Sequence, residues 1–200
     1  MSKIEQLMEL KKECLDCRLC KIGGKVIDGN LSNVFSNMCL KARIMVIGQN
    51  PGLKEIEQKI PFVGPSGKFF DKAVKEVLNL DRMDLYISNC VRCFSPENRK
   101  PNFLEIENCR RFLDREIEII KPSIIITLGN PSMKQIIGCT GIMKQHGRIH
   151  ISPRYKVEVF PLFHPSPLNM NQEKNRKIFY DDLKILRYYL FKNGVFAGYF

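Results

Sequence analysis

The sequence predicts a single α/β domain built on a central, mostly parallel four-stranded sheet flanked by helices. Three observations predict it. Short apolar runs of strand length, such as Arg43-Ile-Met-Val-Ile-Gly48 and Ser123-Ile-Ile-Ile-Thr-Leu128, alternate with longer stretches of helical period. Near-continuous apolar strands suit a parallel sheet covered on both faces. No repeat, low-complexity segment or linker divides the 200 residues, a length that supports one domain with a sizeable core.

Taken in order, residues 3–16 carry Ile4, Leu7, Met8 and Leu10 between charges, a helical pattern. Residues 43–48 are a buried strand that runs into Gly48-Gln49-Asn50-Pro51-Gly52. Residues 66–80 repeat apolar positions at helical spacing, 84–88 form a second strand, and 103–120 a second long helix. A third strand at 123–128 precedes a short helix near 131–137, a fourth strand lies at 156–162, and a last helix at 173–192. The domain therefore spans 1–192. The apolar tail 193–200 is expected to pack onto it. In open α/β sheets, ligands bind beyond the carboxyl ends of the strands. Asn50, Asn89 and His164 all fall just after predicted strands, so the polar loops that hold them should converge on one edge.

Composition narrows the function class. The chain is 44% apolar and 26% charged, as in an ordinary globular protein. None of its apolar runs approaches the roughly 20 residues of a membrane span, and the N-terminus has no apolar signal core. It is expected to be a cytoplasmic monomer. Lys and Arg number 32 against 21 Asp and Glu, a net charge of +11 that points to an acidic partner, most commonly nucleic acid.

Eight cysteines in such a chain suggest metal or redox chemistry rather than a disulfide framework. Cys14, Cys17 and Cys20 are spaced as Cys-x2-Cys-x2-Cys, and Cys93 and Cys109 lie far downstream. Four thiolates from two such pairs can hold zinc or a 4Fe–4S cluster, and the spacing leaves both open. Cys39, Cys90 and Cys139 sit in or beside apolar stretches and read as small hydrophobes.

Several ordered motifs resemble the iron–sulfur (family 4) uracil-DNA glycosylases. They are the early Cys-x2-Cys, Gly48-x-x-Pro51-Gly52, Pro61-Phe62-Val63-Gly64-Pro65-Ser66-Gly67, Ser88-Asn89-Cys90-Val91-Arg92-Cys93, Asn98-Arg99-Lys100-Pro101 with Cys109, and His164-Pro165-Ser166. The resemblance covers residues 14–190. It implies a uracil-DNA glycosylase fold and a 4Fe–4S cluster on Cys17, Cys20, Cys93 and Cys109, with Cys14 as the competing ligand for the early pair. It also implies DNA containing uracil, single- or double-stranded, as the substrate.

Within that resemblance Asn50 positions the attacking water, and His164 donates to a carbonyl oxygen of the base, with Gly48 and Gln49 in the same substrate loop. Asn89 matches the edge of uracil, Phe62 stacks on the flipped ring, Ser166 contacts the DNA backbone, and Leu168, with Met170 beside it, wedges into the vacated stack. The sequence also departs from the family. Gly48-Gln49-Asn50-Pro51-Gly52 stands where family 4 usually reads Gly-Glu-x-Pro-Gly. Its Gln is like the Gly-Gln-Asp-Pro-Tyr of family 1, its Asn-Pro-Gly is like the mismatch-specific enzymes, and His164-Pro165-Ser166-Pro167-Leu168 is more like family 1. Rival readings are a non-catalytic DNA-binding module, a zinc-stabilised nucleic-acid binder, and a glycosylase for another damaged base.

Overall fold

Five consecutive buried residues, Ile44–Gly48, can only be a strand packed on both sides, and the computed structural model, which describes residues 1–196, shows one there. The chain runs α1 (Lys3–Leu15), a hairpin of β1 (Val26–Ile27) and β2 (Asn30–Leu31), β3 (Ile44–Gly48), α2 (Leu53–Gln58) and α3 (Pro65–Leu78). It continues with β4 (Leu85–Asn89), α4 (Phe103–Ile120), β5 (Ile124–Leu128), α5 (Asn130–Ile137) and α6 (Ile142–Gln145). The last elements are β6 (His150–Ile151), β7 (Glu158–Leu162), α7 (Pro167–Met170) and α8 (Glu173–Lys192).

The main sheet has the order β4-β3-β5-β7-β6 and five strands rather than the expected four. Strands β4, β3, β5 and β7 are parallel, while β6 adds an antiparallel edge of only two residues, too short to show a period in the sequence. The β1–β2 hairpin is also additional. Its turn is Asp28-Gly29, both at positive φ, the pairing that matches the twist of a two-residue hairpin.

Alternation along β3 divides the core. Ile44 and Val46 face α3 and α8 through Phe70, Val74, Phe179 and Leu183, while Met45 and Ile47 face α1 and α4 through Leu7, Leu10, Phe112 and Leu113. Helix α1 starts at a Ser2–Glu5 capping box and α4 at an Asn102–Glu105 one, so each start is fixed by local chemistry. Val195 and Phe196 are buried against the α3–α8 side, and the Arg43 guanidinium donates to the carbonyls of Gly194 (3.1 Å) and Val195 (3.2 Å). The rest of the tail expectation falls on residues 197–200, outside the described residues. Chain order reverses between β3 and β5, the switch point at which open sheets hold ligands, and the loops after β3, β4 and β7 meet at that end.

Candidate active site

Parallel register places Gly48 opposite Asn89. The zip continues past the strands, because Cys90 N–H donates to the Gly48 carbonyl (3.0 Å) and Val91 N–H to that of Gln49 (2.9 Å). A Cβ at Gly48 would lie 2.5 Å from Asn89 Oδ1, so any side chain there would displace the Asn89 amide. Beyond them, Gln49 Nε2 donates to Asn50 Oδ1 (2.9 Å), and Asn50 Nδ2 donates to the Pro51 carbonyl (3.0 Å).

A cavity of about 450 Å³ opens here, walled by Gln49, Asn50, Pro51, Gly52, Lys54, Glu55, Phe62, Gly64, Ser66 and His164. Phe62 is held in a left-handed backbone conformation, φ 61°, which a bulky residue adopts only under constraint. Two side chains, Arg82 and Glu55, supply the constraint. Arg82 Nη1 donates to the Phe62 carbonyl (2.9 Å), and its Nη2 donates to that of Pro61, while Asp71 anchors the guanidinium at 3.1 Å. Glu55 Oε1 accepts from Val63 N–H (2.8 Å) and Gly64 N–H (2.6 Å). Gly67 matters too, since a Cβ there would collide with the Phe62 carbonyl. The Phe62 ring meets Phe70 edge-on at 5.6 Å and His164 at 6.3 Å.

His164 follows β7. Its Cβ lies 3.0 Å from where one would stand at Gly129, itself at φ +82°, so that glycine clears its seat. Asn169 Nδ2 fixes the His164 carbonyl at 2.9 Å. Burial lowers the pKa of the imidazole from its ordinary value of 6.5, because the cation loses hydration.

Of the residues expected from sequence, the structure brings Gln49, Asn50, Phe62 and His164 to one cavity. Gly48 and Asn89 are buried just behind that wall and shape it without lining it. Ser166 is the N-cap of α7, where its carbonyl accepts from Asn169 and Met170 N–H groups, and its side chain does not reach the cavity wall. Leu168 is 80% exposed, whereas Met170, expected beside it, is buried in the core. Glu55 was not anticipated. Its carboxylate is buried and accepts from three backbone N–H groups, those of Gly52, Val63 and Gly64, which joins α2 to the Phe62 loop. The only local signal was an acid three residues after Gly52, a capping pattern.

A profile of the "Uracil DNA glycosylase superfamily" matches residues 35–184. The chain is 36% identical to a type-4 uracil-DNA glycosylase of Sulfurisphaera tokodaii, over 92% of this chain and 84% of that protein. It is 34% identical to the one from Saccharolobus solfataricus, over 92% and 85%, and 32% identical to the one from Thermotoga maritima, over 95% and 98%. The chain belongs to the uracil DNA glycosylase superfamily.

The superfamily match begins after Cys17 and Cys20 but includes Cys93 and Cys109, and the structure packs Cys20 against the second pair with Cys17 near Cys109. Cys93 and Cys109 are buried with Ile22 and Val91, and Cys20 and Ile106 pack against them. Burial pushes both thiols up, Cys93 further raised by Cys109, Cys20 and Cys14, and Cys109 by Cys20 and Cys17. Backbone and side-chain contacts secure this seat. Ser32 Oγ donates to the Ile22 carbonyl (2.9 Å), Phe94 N–H to that of Ser32 (3.0 Å), and Asn108 Nδ2 to that of Leu19 (3.0 Å). A fully buried Arg92–Glu116 pair at 2.5 Å ties the loop after β4 to α4. Cys14 differs. It continues the buried stripe of Leu7 and Leu10 on α1, and burial pushes its thiol up to about 12. Among the described residues, no three His, Cys, Asp or Glu side chains converge tightly enough for a single metal ion, and no helix is long and apolar enough to cross a membrane.

Proposed function

We propose that the chain hydrolyses the N-glycosidic bond of uracil in DNA and leaves an abasic site. The observation that carries this reading is the cavity that Asn50, Phe62 and His164 share at the carboxyl ends of β3 and β7. A base must leave the stack to reach such a cavity, and ring stacking on Phe62 contributes about 1–3 kcal/mol. The bond electrons depart with the base, leaving an oxocarbenium-like sugar and an anionic ring. His164, neutral through burial, donates a hydrogen bond to the base carbonyl where that charge collects. Asn50 orients water towards the sugar, and an amide does this without acting as a strong base, so turnover should be slower than with an aspartate. The exposed Leu168 fits the wedge that fills the vacated stack and Ser166 a backbone contact, while Asn89, buried at the strand end it shares with Gly48, backs the cavity wall.

The residues of the cysteine seat also fit a 4Fe–4S cluster on Cys17, Cys20, Cys93 and Cys109. Supporting this are Cys93 and Cys109 buried together with Cys20 packed against them, and Cys17 close enough to raise the Cys109 thiol. The cluster would supply cross-linking, pinning the loop after α1 to β4 and α4, and no step of the reaction passes through it. Cys14, at the end of the buried stripe of α1, is the competing ligand for the early pair.

Base preference follows from Gly52. Uracil and thymine differ by one methyl, and an apolar pocket separates such a pair by only about 1–3 kcal/mol without a wall. Position 52 is glycine and presents no such wall, and a Cβ there would lie 2.8 Å from Glu55 Oε2. Uracil is therefore the main substrate, with measurable release of thymine opposite guanine. Labelled duplexes carrying uracil opposite guanine, uracil opposite adenine, and thymine opposite guanine, cleaved at abasic sites by alkali, test the reading. No release from any uracil duplex would leave a non-catalytic DNA binder. Strict uracil release would show that another residue replaces the wall.

A further inference from the structure

We propose that Gln49 is the positioning residue for Asn50, fixing which end of that amide faces the attacking water. The proposal rests on the assignment of the cavity to uracil excision. Its observation is the polarity of a short hydrogen-bond chain. The Pro51 carbonyl can only accept, so the Asn50 atom 3.0 Å from it is the amide nitrogen. That choice turns Oδ1 towards Gln49, and an oxygen that only accepts must meet the Gln49 NH2, at 2.9 Å. Gln49 is itself anchored, since its backbone carbonyl accepts from Val91 N–H at 2.9 Å. Both side chains line the cavity.

The polarity matters for chemistry. Water attacks the sugar carbon with a lone pair, so its hydrogens must point away, towards an acceptor. Asn50 Oδ1 has two lone pairs, one taken by Gln49 and one left for a water hydrogen. Were the amide reversed, its N–H would claim the lone pair of the water and turn the hydrogens towards the developing cation. Gln49 therefore selects the productive orientation, although it need not touch the reacting atoms. A carboxylate at position 49 would set acceptor against acceptor and reverse Asn50. Once protonated, the same group would donate again and restore it.

The ionisable groups on the same cavity are Lys54 and Glu55 on α2 and His164 after β7. Cys90, beside the Gly48 carbonyl, is a buried thiol pushed up to about 12 and stays neutral. Since these groups are common to all variants, the rate ratio to wild type isolates the new carboxyl. Single-turnover uracil release is measured between about pH 5 and pH 9 for wild type, Gln49→Glu, Asn50→Ala and the double variant. Gln49→Glu should slow release about a hundredfold at neutral pH. Its ratio to wild type should recover as pH falls, and the substitution should change little in the Asn50→Ala background. A ratio flat across pH, or a full-sized effect without Asn50, overturns the proposal. Side-chain amide signals of Asn50 in ¹⁵N spectra provide a second readout that needs no turnover. They should shift on Gln49→Met, and signals that stay in place overturn the proposal even in an active enzyme. A wild-type protein that releases no uracil would instead refute the assignment of the cavity, and the amide signals would still decide whether Gln49 holds Asn50.

Discussion

His164 and Asn50 do different work, and their pH dependence should show it. Burial holds the His164 pKa below 6.5, so the imidazole is neutral at physiological pH and keeps one ring N–H to donate. The unfolded chain takes up that proton at higher pH than the folded one, so the site costs stability, as well as activity, when acidified. The rate of uracil release should be level through neutrality and fall only below pH 6.5; an acidic limb above that value would contradict the assignment. His164→Ala and Asn50→Ala should each lose about 2.7–4 kcal/mol of transition-state stabilisation, roughly a hundred- to a thousandfold in rate, with DNA affinity kept. Glu55 carries a separate prediction. Glu55→Gln would turn an amide donor towards backbone N–H groups now satisfied by carboxylate oxygens, and should lower unfolding stability by about 1–3 kcal/mol. Asn50, Phe62 and His164 were legible in the sequence because each stands in a motif at a strand end or turn. Glu55 was not, because Leu53-Lys-Glu-Ile-Glu-Gln58 looks like a solvated helix, and only tertiary structure brings Val63 and Gly64 to its carboxylate.

Among the elements, the long ones were legible and the short ones were not. Apolar period placed α1, α3, α4, α8 and the four parallel strands within a residue or two of their observed limits. Strands β1, β2 and β6 have two residues each and therefore no period. What no pattern shows is how α3 doubles as a support for the site. Its Gly67 lies against the Phe62 carbonyl, and Arg82, in the turn before β4, donates to the same carbonyl. Alanine normally favours a helix over glycine by about 1 kcal/mol. At position 67 the added methyl would strike a backbone oxygen, and relief by overpacking commonly costs about 1–3 kcal/mol. Gly67→Ala should therefore destabilise the protein in chemical unfolding and slow uracil release, because Phe62 moves with its carbonyl. A variant more stable than wild type would mean that the Phe62 loop yields freely.

At the scale of the whole molecule, charge and cysteine placement connect fold to function. The +11 surplus should make DNA binding fall steeply over a fourfold rise in salt, through counterion release, and an affinity flat over that range would contradict a phosphate-binding surface. The cysteines make the sharper prediction. Cys17 and Cys20 lie in the loop after α1, Cys93 follows β4, and Cys109 sits within α4, so a bound cluster would cross-link three segments far apart in sequence. Because ligand binding to metal is coupled to folding, purified protein should be coloured, and serine at any of those four positions should bleach it and lower its unfolding midpoint. Cys14→Ser should behave differently. It would place a hydroxyl in the apolar stripe of α1, costing about 1–3 kcal/mol, yet leave iron content intact. Iron content and visible absorbance across the five variants separate the cases. Iron lost from Cys14→Ser but kept in Cys20→Ser would move the ligand pair one step towards the N-terminus, so that the cluster reached into the α1 core. Colourless protein carrying zinc would leave the same four thiols holding the segments together with a smaller ion.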